Sequence, residues 1–494
     1  MKPNIVLIMV DQMRADCLSI QDHPVVDTPN LDQLARDGVL FQNAYSSTPT
    51  CVPARATVLT GMSQTSTGRV GYQDQVPFNY EHTLPGELAQ AGYHTQAVGK
   101  MHVYPARNLC GFHNVVLHDG YLHYNRNKSC NLESESFNHS GDDYLPWFKQ
   151  QAGSQADLND LGLDCNASTV ARPWHLSEAL HPTNWVVSES IDFLRRRDPS
   201  KPFFLKMSFV RPHPPFDPPQ VFFDMYKDLD LPDPAIGDWA ELEDPEQNGL
   251  NPVTLKGNVP RNRFKRAQAA YYALITHIDY QIGRFMQTMA EYGVMNNTVI
   301  LFVSDHGELL GDHNLFRKAL PYEGSANVPF ILSDPGNVLK LKKNQSIEEV
   351  VELRDIMPTI LDAANVEIPR SVDGMSVLPL CTGEKAKWRE YIHGEHAYGA
   401  SSHQFLTNGK EKYIWYSQSG EEQLFNLLKD PSETINLVNN PEYIDRLVFW
   451  REILIRELHG REEGYTDGKR LIAGKKAKST LEHLLVSVKE TAYN

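Results

Sequence analysis

The chain has 494 residues, 47 of them basic and 62 acidic, for a formal net charge of −15. That length holds a large buried core, whether as one big α/β unit or as several domains. An acidic surface repels long polyanions, which argues against a nucleic acid partner and restricts an anionic substrate to a small molecule, or one held by its end, in a local basic pocket.

The first element in chain order is the apolar, β-branched run Ile5–Val10, expected as a buried parallel strand ending at Asp11-Gln12. It follows Met1-Lys2-Pro3 at once. The run is short for a signal peptide and lacks a small-residue cleavage site, so the chain reads as cytoplasmic, or as periplasmic or secreted if it is a processed form. Thr28 or Asp27 is placed to cap a helix with Pro29 in its first turn and Gly38 as its stop. Val39–Tyr45 reads as a second short strand leading to Cys51, Leu84–Ala91 as a helix, and His94–Val98 as a strand ending at Gly99-Lys100-Met101-His102. Lys100 and His102, two apart, fall on the same side if that segment is extended.

Residues from about 105 to 180 interrupt the alternation, with an aromatic and histidine-rich stretch (Phe112, His113, His118, Tyr121, His123, Tyr124) that suits either a sugar or aryl pocket or ordinary packing. A helix over Asn184–Arg196 and a strand over Phe203–Val210 follow, the strand running into Arg211 and His213. Residues 217–260 are rich in proline and acids and read as a surface excursion. Lys265–Tyr292 is an amphipathic helix, Thr298–Val303 a buried strand ending at Asp305-His306, and Leu353–Ala364 a helix. Beyond residue 380 the pattern becomes short strands with polar turns (Tyr391-Ile392, Phe405-Leu406, Lys412–Tyr416, Glu422–Phe425), then a helix over Pro441–His459 and a charged tail with a short helix at Thr480–Glu490. No run is long enough to span a membrane, so no membrane partner is expected. Six cysteines (Cys17, Cys51, Cys110, Cys130, Cys165, Cys381) show neither C-x-x-C nor zinc spacing; Cys110 and Cys130 are read as free rather than paired.

Four predicted strands thus end in chemistry-bearing residues, and parallel sheets build their sites beyond the carboxyl ends of strands. Between the first two lies Cys51-Val52-Pro53-Ala54-Arg55-Ala56-Thr57-Val58-Leu59-Thr60-Gly61. A cysteine opening a helix meets unpaired N–H groups and a partial positive charge, which welcome an anion and favour the thiolate. Arg55, one turn on, adds a fork that fits sulfate or phosphate oxygens.

The pattern C-x-P-x-R-x-x-x-x-T-G resembles the signature of the formylglycine-dependent sulfatases of the alkaline phosphatase superfamily. The resemblance extends to Asn4–Gln12, Thr28-Pro29-Asn30-Leu31, Gly99–His102, Ser304–His313 with Lys318, and Gln423–Leu427 with Asp430-Pro431 and Asn436-Leu437. It implies an α/β fold: a large mixed, mostly parallel sheet flanked by helices, with a smaller C-terminal α+β subdomain carrying an antiparallel sheet. The expected division is a catalytic domain over 1–380 and the subdomain over 381–494.

The function implied is hydrolysis of a sulfate ester, on a sulfated small molecule or a glycan end, after a formylglycine-generating maturation enzyme has oxidised Cys51 to an aldehyde. One hydrate oxygen of that aldehyde would attack sulfur, and loss of sulfate through the second hydroxyl would restore it. Asp11, Gln12, Asp305 and His306, with modified Cys51, would hold one divalent cation, Ca2+ with Mg2+ as the alternative. Gln12 stands where the family commonly has a further acid. Arg55 and Lys318 would neutralise the reacting centre, Lys100 and His102 would serve the nucleophile, and His213 and Lys318 would protonate the departing alcohol. His393, Glu395 and His396 would reach over the pocket as substrate contacts or else stabilise the domain junction. Homo-oligomerisation is compatible with this reading. Two alternatives stand beside it: a phosphonate monoester or phosphodiester hydrolase of the same superfamily, suggested by Gln12 with His306, and a non-catalytic metal-dependent glycan binder.

Overall fold

The structure, a computed structural model, describes residues 2–120, 141–156, 161–240, 251–384 and 386–485. The chain opens on strand β1 (Asn4–Asp11), helix α1 (Pro29–Arg36), strands β2 (Gly38–Phe41) and β3 (Ala44–Tyr45), and helix α2 (Cys51–Thr60). Helix α3 (Leu84–Gln90), strands β4 (His94–Gly99) and β5 (Asn114–Leu117) and helices α4 (Tyr144–Ala152) and α5 (Pro182–Arg196) lead to strand β6 (Phe203–Pro212). Helices α6 (Gln220–Tyr226) and α7 (Arg261–Glu291) precede strands β7 (Thr298–Ser304), β8 (Phe330–Ser333), β9 (Gln345–Ile347) and β10 (Val351–Glu352) and helix α8 (Ile356–Ala363).

Eight strands form one sheet in the order β5-β4-β6-β1-β7-β8-β2-β9. From β5 to β7 every pairing is parallel, whereas β8 runs antiparallel to both β7 and β2. β1 lies at the centre and shows why its run carries no polar residue until Asp11. Val6, Ile8 and Val10 face a core built with α5 and α7, and Ile5, Leu7 and Met9 face a second core built with α2, α3 and α8. Alternate side chains therefore enter opposite cores, both apolar.

The last strands, β11 (Ile392–His396), β12 (His403–Thr407), β13 (Glu411–Tyr416) and β14 (Glu422–Asn426), make an antiparallel sheet followed by helix α9 (Ile444–Glu457). Phe405, Ile414 and Phe425 pack with Leu309 and Tyr322, while Leu406, Tyr413, Trp415 and Leu424 pack on Leu447, Trp450 and Leu454 of α9. Between the two sheets, the buried Lys412 ammonium bridges Glu323 at 2.6 Å and Glu433 at 2.8 Å. Among the described residues no helix is long and apolar enough to cross a membrane.

Several sequence expectations are corrected. Val39–Tyr45 is not one strand: β2 joins the main sheet, and β3 pairs with β10. Helix α1 is not capped by a Thr28 side chain. The Asp279 carboxylate of α7 accepts the Asn30 and Leu31 N–H groups, at 3.2 and 2.8 Å, and so supplies the cap from a distant element. The segment 105–180 is not simply inserted, since β5 extends the sheet and His118 is buried against Tyr144 and Trp185. Tyr121, His123, Tyr124 and Cys130 lie outside the described residues. The excursion at 217–260 contributes Phe222, Phe223 and Tyr226 to the core. The tail folds back, with Leu481 N–H donating to the Gly68 carbonyl at 2.9 Å. Residues 482–485 are helical, and the rest of that expected helix lies outside the described residues. Cys17, Cys51, Cys110, Cys165 and Cys381 are free thiols.

Candidate active site

The parallel pairing of β4, β6, β1 and β7 brings their carboxyl ends to one edge, where Lys100, His213, Asp11 and Asp305 follow in space. The register between β1 and β6 shifts between Met9 and Asp11, and Gln12 takes a φ of 72°, so the chain turns sharply at the sheet edge. Helix α2 delivers Cys51 to the same place. Thr50 is its extended N-cap, every residue of α2 is buried, and the helix stops where Gly61 adopts a φ of 64° with its N–H on the Thr57 carbonyl.

Cys51 Sγ lies 3.2 Å from His306 Nε2, 3.6 Å from Asp11 Oδ1 and 3.6 Å from Lys100 Nζ. Burial and the Asp11 charge push the thiol up, but Lys100, Lys318 and His306 outweigh them and leave it below the ordinary cysteine value. Asp11, Cys51, Asp305 and His306 each direct a ligand atom so that all four lie within 4.8 Å of one another. His306 Nδ1 lies 3.0 Å from the Gly307 carbonyl, which holds a proton at Nδ1 and turns Nε2 toward Asp11 and Asp305, at 3.4 and 3.6 Å. Two carboxylates, one imidazole nitrogen and an oxygen at position 51 form a donor set that fits a hard divalent cation. Gln12 stands beside this set with other partners. Its Oε1 accepts from Lys318 Nζ at 2.6 Å and its Nε2 donates to buried Glu308. A ligand role would use the second lone pair of that amide oxygen.

Cations surround the cluster. Lys100 donates to Asp11, which counters the penalty of burial and holds the ammonium above its ordinary value. Burial alone would raise Asp11, but Lys100, His213, Lys318 and Arg55 hold its carboxyl well below the usual range. Lys318 is lowered by burial and by neighbouring Lys100, which makes it a readier proton donor than an exposed lysine. His213 is pushed well down by burial and by Lys318, and its Nδ1 lies 2.8 Å from the Pro214 carbonyl, so the imidazole is neutral with Nε2 unprotonated.

Arg55 acts on the cluster from beneath, not from the cavity wall. Its Nε donates to Asp305 Oδ2 at 2.8 Å, and its Nη1 to the Lys100 carbonyl and Ser208 Oγ, each at 2.9 Å. It is 1% exposed and absent from the cavity wall. Its fork braces the ligand carboxylate and the Lys100 turn from beneath instead of meeting a substrate anion.

Above the cluster is a cavity of about 310 Å³, lined by Asp11, Cys51, Lys100, His102, His213 and Lys318 among others. Lys100 and His102 share it, though not by extension: His102 has a φ of 55°, and Asp119 Oδ1 accepts both the Met101 and His102 N–H groups at 2.8 Å. His393, Glu395 and His396 do not line it. His393 pairs with Gln404 at 2.8 Å, Glu395 is locked to Arg461 at 2.8 and 2.9 Å, and His396 Nε2 meets Thr50 Oγ1 at 2.9 Å. Their expected substrate contact is therefore replaced by support of the junction, with His396 bracing the N-cap of α2. Tyr398 reaches the cavity instead, with Tyr72, Asp119, Asn166 and Arg317, none of which stood out in the sequence.

Comparison with known proteins gives a concordant picture. The family model described as Sulfatase matches residues 3–366, and one described as N-sulphoglucosamine sulphohydrolase, C-terminal, matches residues 311–456. An arylsulfatase from Clostridium perfringens is 59% identical over 484 residues, covering 98% of this chain and 100% of that protein. A choline-sulfatase from Rhizobium meliloti is 30% identical, covering 89% of this chain and 83% of that protein. Among solved structures, a phosphonate monoester hydrolase of Agrobacterium radiobacter superposes with a TM-score of 0.73 at 24% identity, over 92% of this chain and 95% of that one. A structure in complex with its substrate D-glucosamine-2-N,6-O-disulfate superposes with a TM-score of 0.72 at 21% identity, over 93% of this chain and 98% of that one. These two likenesses carry the fold.

Proposed function

The chain belongs to the sulfatase family and is a sulfuric ester hydrolase, and from that premise we propose that it removes a terminal sulfate from a sugar or aryl alcohol with Cys51 in its formylglycine form. The observation that carries this reading is the convergence of Cys51 with Asp11, Asp305 and His306 on the floor of a cavity that also presents Lys100, His102, His213 and Lys318. A maturation enzyme is required for the conversion, and the aldehyde hydrate supplies the nucleophilic oxygen that a thiol lacks. Asp11, Asp305, His306 and residue 51 would hold the divalent cation, with Gln12 sharing its amide oxygen. Ca2+ suits the oxygen-rich set, and the ion would supply Lewis-acid stabilisation of the sulfate oxygens.

The remaining work falls to side chains. Lys100, placed between Asp11 and Cys51, lowers the cost of negative charge at the nucleophile. His102 lines the cavity beside it, on the turn held by Asp119, where it orients the nucleophile. Lys318 binds the ester oxygens from the other side, released from Gln12 or bridging to it. A bound sulfate anion offsets the Lys318 charge that depresses His213. Nε2 can then take a proton from solvent and donate it to the alcohol oxygen as the bond from that oxygen to sulfur breaks. The wall formed by Val210, Pro214, Tyr72 and Tyr398 suits the ring of that alcohol.

The test is paired. Mass spectrometry of the Cys51 peptide, from protein made with the maturation enzyme, should show a lighter species with sulfur and two hydrogens exchanged for oxygen. The same preparation should hydrolyse 4-nitrophenyl sulfate and at least one of a panel of sulfated mono- and disaccharides. A matured protein inactive on every sulfate ester would overturn the reading.

A further inference from the structure

In a chain whose net charge is −15, the cations around the cavity fall into two groups. Lys100 is answered by Asp11, Arg55 by Asp305, and Arg211 by Asp217 at 2.6 Å. Lys318 has a neutral partner, Gln12, and is assigned to the sulfate that is cleaved. Arg317 is the remaining cation of the wall. Its Nη2 donates to Asn166 Oδ1 at 2.7 Å, and among the described residues no carboxylate pairs with its guanidinium. It is half-buried in the cavity wall, so an anion bound there would meet a guanidinium that no acid among the described residues already holds.

The backbone fixes where this side chain starts. Arg317 has a φ of 67°, its N–H donates to the Glu308 carboxylate, and its carbonyl accepts the Leu309 N–H at 2.7 Å. Glu308 is the same buried acid that holds Gln12, so the position of Arg317 is tied to the reaction centre through one side chain. Asn166 both orients the guanidinium through Oδ1 and keeps a donor for a ligand, since among the described residues its amide N–H meets the Cys165 sulfur alone, at 3.6 Å. Arg317 and Asn166 both line the cavity, with the apolar surface of Val210, Pro214 and Leu255 also in its wall. A guanidinium fork beside an amide donor matches a planar or tetrahedral anionic group, held by charge-assisted hydrogen bonds.

We propose that Arg317 and Asn166 form a subsite for a second anionic oxygen group, a carboxylate or a further sulfate, carried by the alcohol that leaves. The proposal rests on the sulfatase reading of the cavity and narrows its substrate class to sulfate esters of acidic alcohols: sulfated sugar acids, disulfated sugars, or aryl sulfates bearing a carboxylate.

The experiment compares 4-nitrophenyl sulfate with the same ring carrying a carboxylate, and adds a disulfated monosaccharide against its monosulfated counterpart. Matured wild-type protein should favour the anionic member of at least one pair in kcat/KM, and the pair that responds identifies the group. In Arg317→Gln the ratio of anionic to neutral kcat/KM should fall about tenfold or more, chiefly through KM, because a charge-assisted contact is lost. Arg317→Lys should recover part of it by keeping the charge. An unchanged ratio in Arg317→Gln, or a wild type indifferent to the second anion in both pairs, would overturn the subsite while leaving sulfatase activity standing. A wild type that turns over no sulfate ester at all would overturn the underlying reading and the subsite with it. The wild-type comparison needs no substitution, so it decides the matter even if Arg317→Gln fails to fold.

Discussion

The Arg55 guanidinium donates to Asp305 Oδ2 at 2.8 Å, with the two side chains 1% and 0% exposed. This pair fastens α2 to the end of β7 and so sets Cys51 against the carboxylates. The same guanidinium reaches the Lys100 carbonyl and Ser208, which ties in β4 and β6. Removing one partner of a buried pair leaves the other charge uncompensated, at a cost of about 3–5 kcal/mol. Arg55→Ala should therefore unfold at markedly lower denaturant and bind less metal. A melt and metal analysis matching wild type would contradict this bracing role.

Lys100 sits between Asp11 and Cys51, where negative charge is handled. Losing one such contact typically costs about 100- to 1000-fold in rate. Lys100→Ala should lose that much kcat on aryl sulfates. The phosphonate esterase alternative makes the opposite claim: wild type would show higher kcat/KM on phenyl phosphonates than on any sulfate tried, and its sulfate turnover would be indifferent to Lys100→Ala. Side-by-side steady-state kinetics on both ester classes decide between them.

Asp119 accepts two successive N–H groups, from Met101 and His102, where His102 holds a φ of 55°. Misplacing a reacting group by about 1 Å can cost about 100-fold. Asp119→Ala should lower kcat by up to about that factor with a smaller change in KM. A loss confined to KM would instead make Asp119 a binding residue.

The ends of β1 and β7 were legible because each follows an uninterrupted apolar run, as a strand covered on both faces demands; β4 and β6 carry polar residues within them but pair in parallel with the same sheet, which aligns all four ends. The cysteine motif was legible because Cys51, Pro53, Arg55, Thr60 and Gly61 fall in one short stretch. What escaped depends on partners far away in sequence. Arg55 spends its fork on Asp305 and Ser208, from other strands. Glu395 turns from the pocket because Arg461 claims both its oxygens. Asp119 holds a turn that His102 makes against its own preference. The Asp279 cap of α1 comes from a helix some 250 residues on, at a separation of 248 to Leu31.

That cap has a pH signature. Burial pushes the Asp279 carboxyl up to about 7, against the pull of its hydrogen bonds from Asn30 and Leu31. A group raised on folding binds its proton more tightly in the native state. Its contribution is therefore fully present below the unfolded value of about 4 and is lost as pH rises through about 7. Asp279→Asn, which keeps an acceptor but never ionises, should flatten the fall of stability with pH across that window. Denaturant midpoints for both proteins between pH 4 and 8 measure it; parallel curves would contradict the assignment.

Cys51 is the residue on which the chemistry turns, 3.2 Å from His306 Nε2 and first in its helix. The most direct measurement is kcat on 4-nitrophenyl sulfate for matured wild type and for Cys51→Ala made alongside it, with circular dichroism to verify that both are folded. The expected result is a wild type that turns over and a folded Cys51→Ala protein with no turnover above the uncatalysed background. Wild-type turnover retained by folded Cys51→Ala would contradict the central claim.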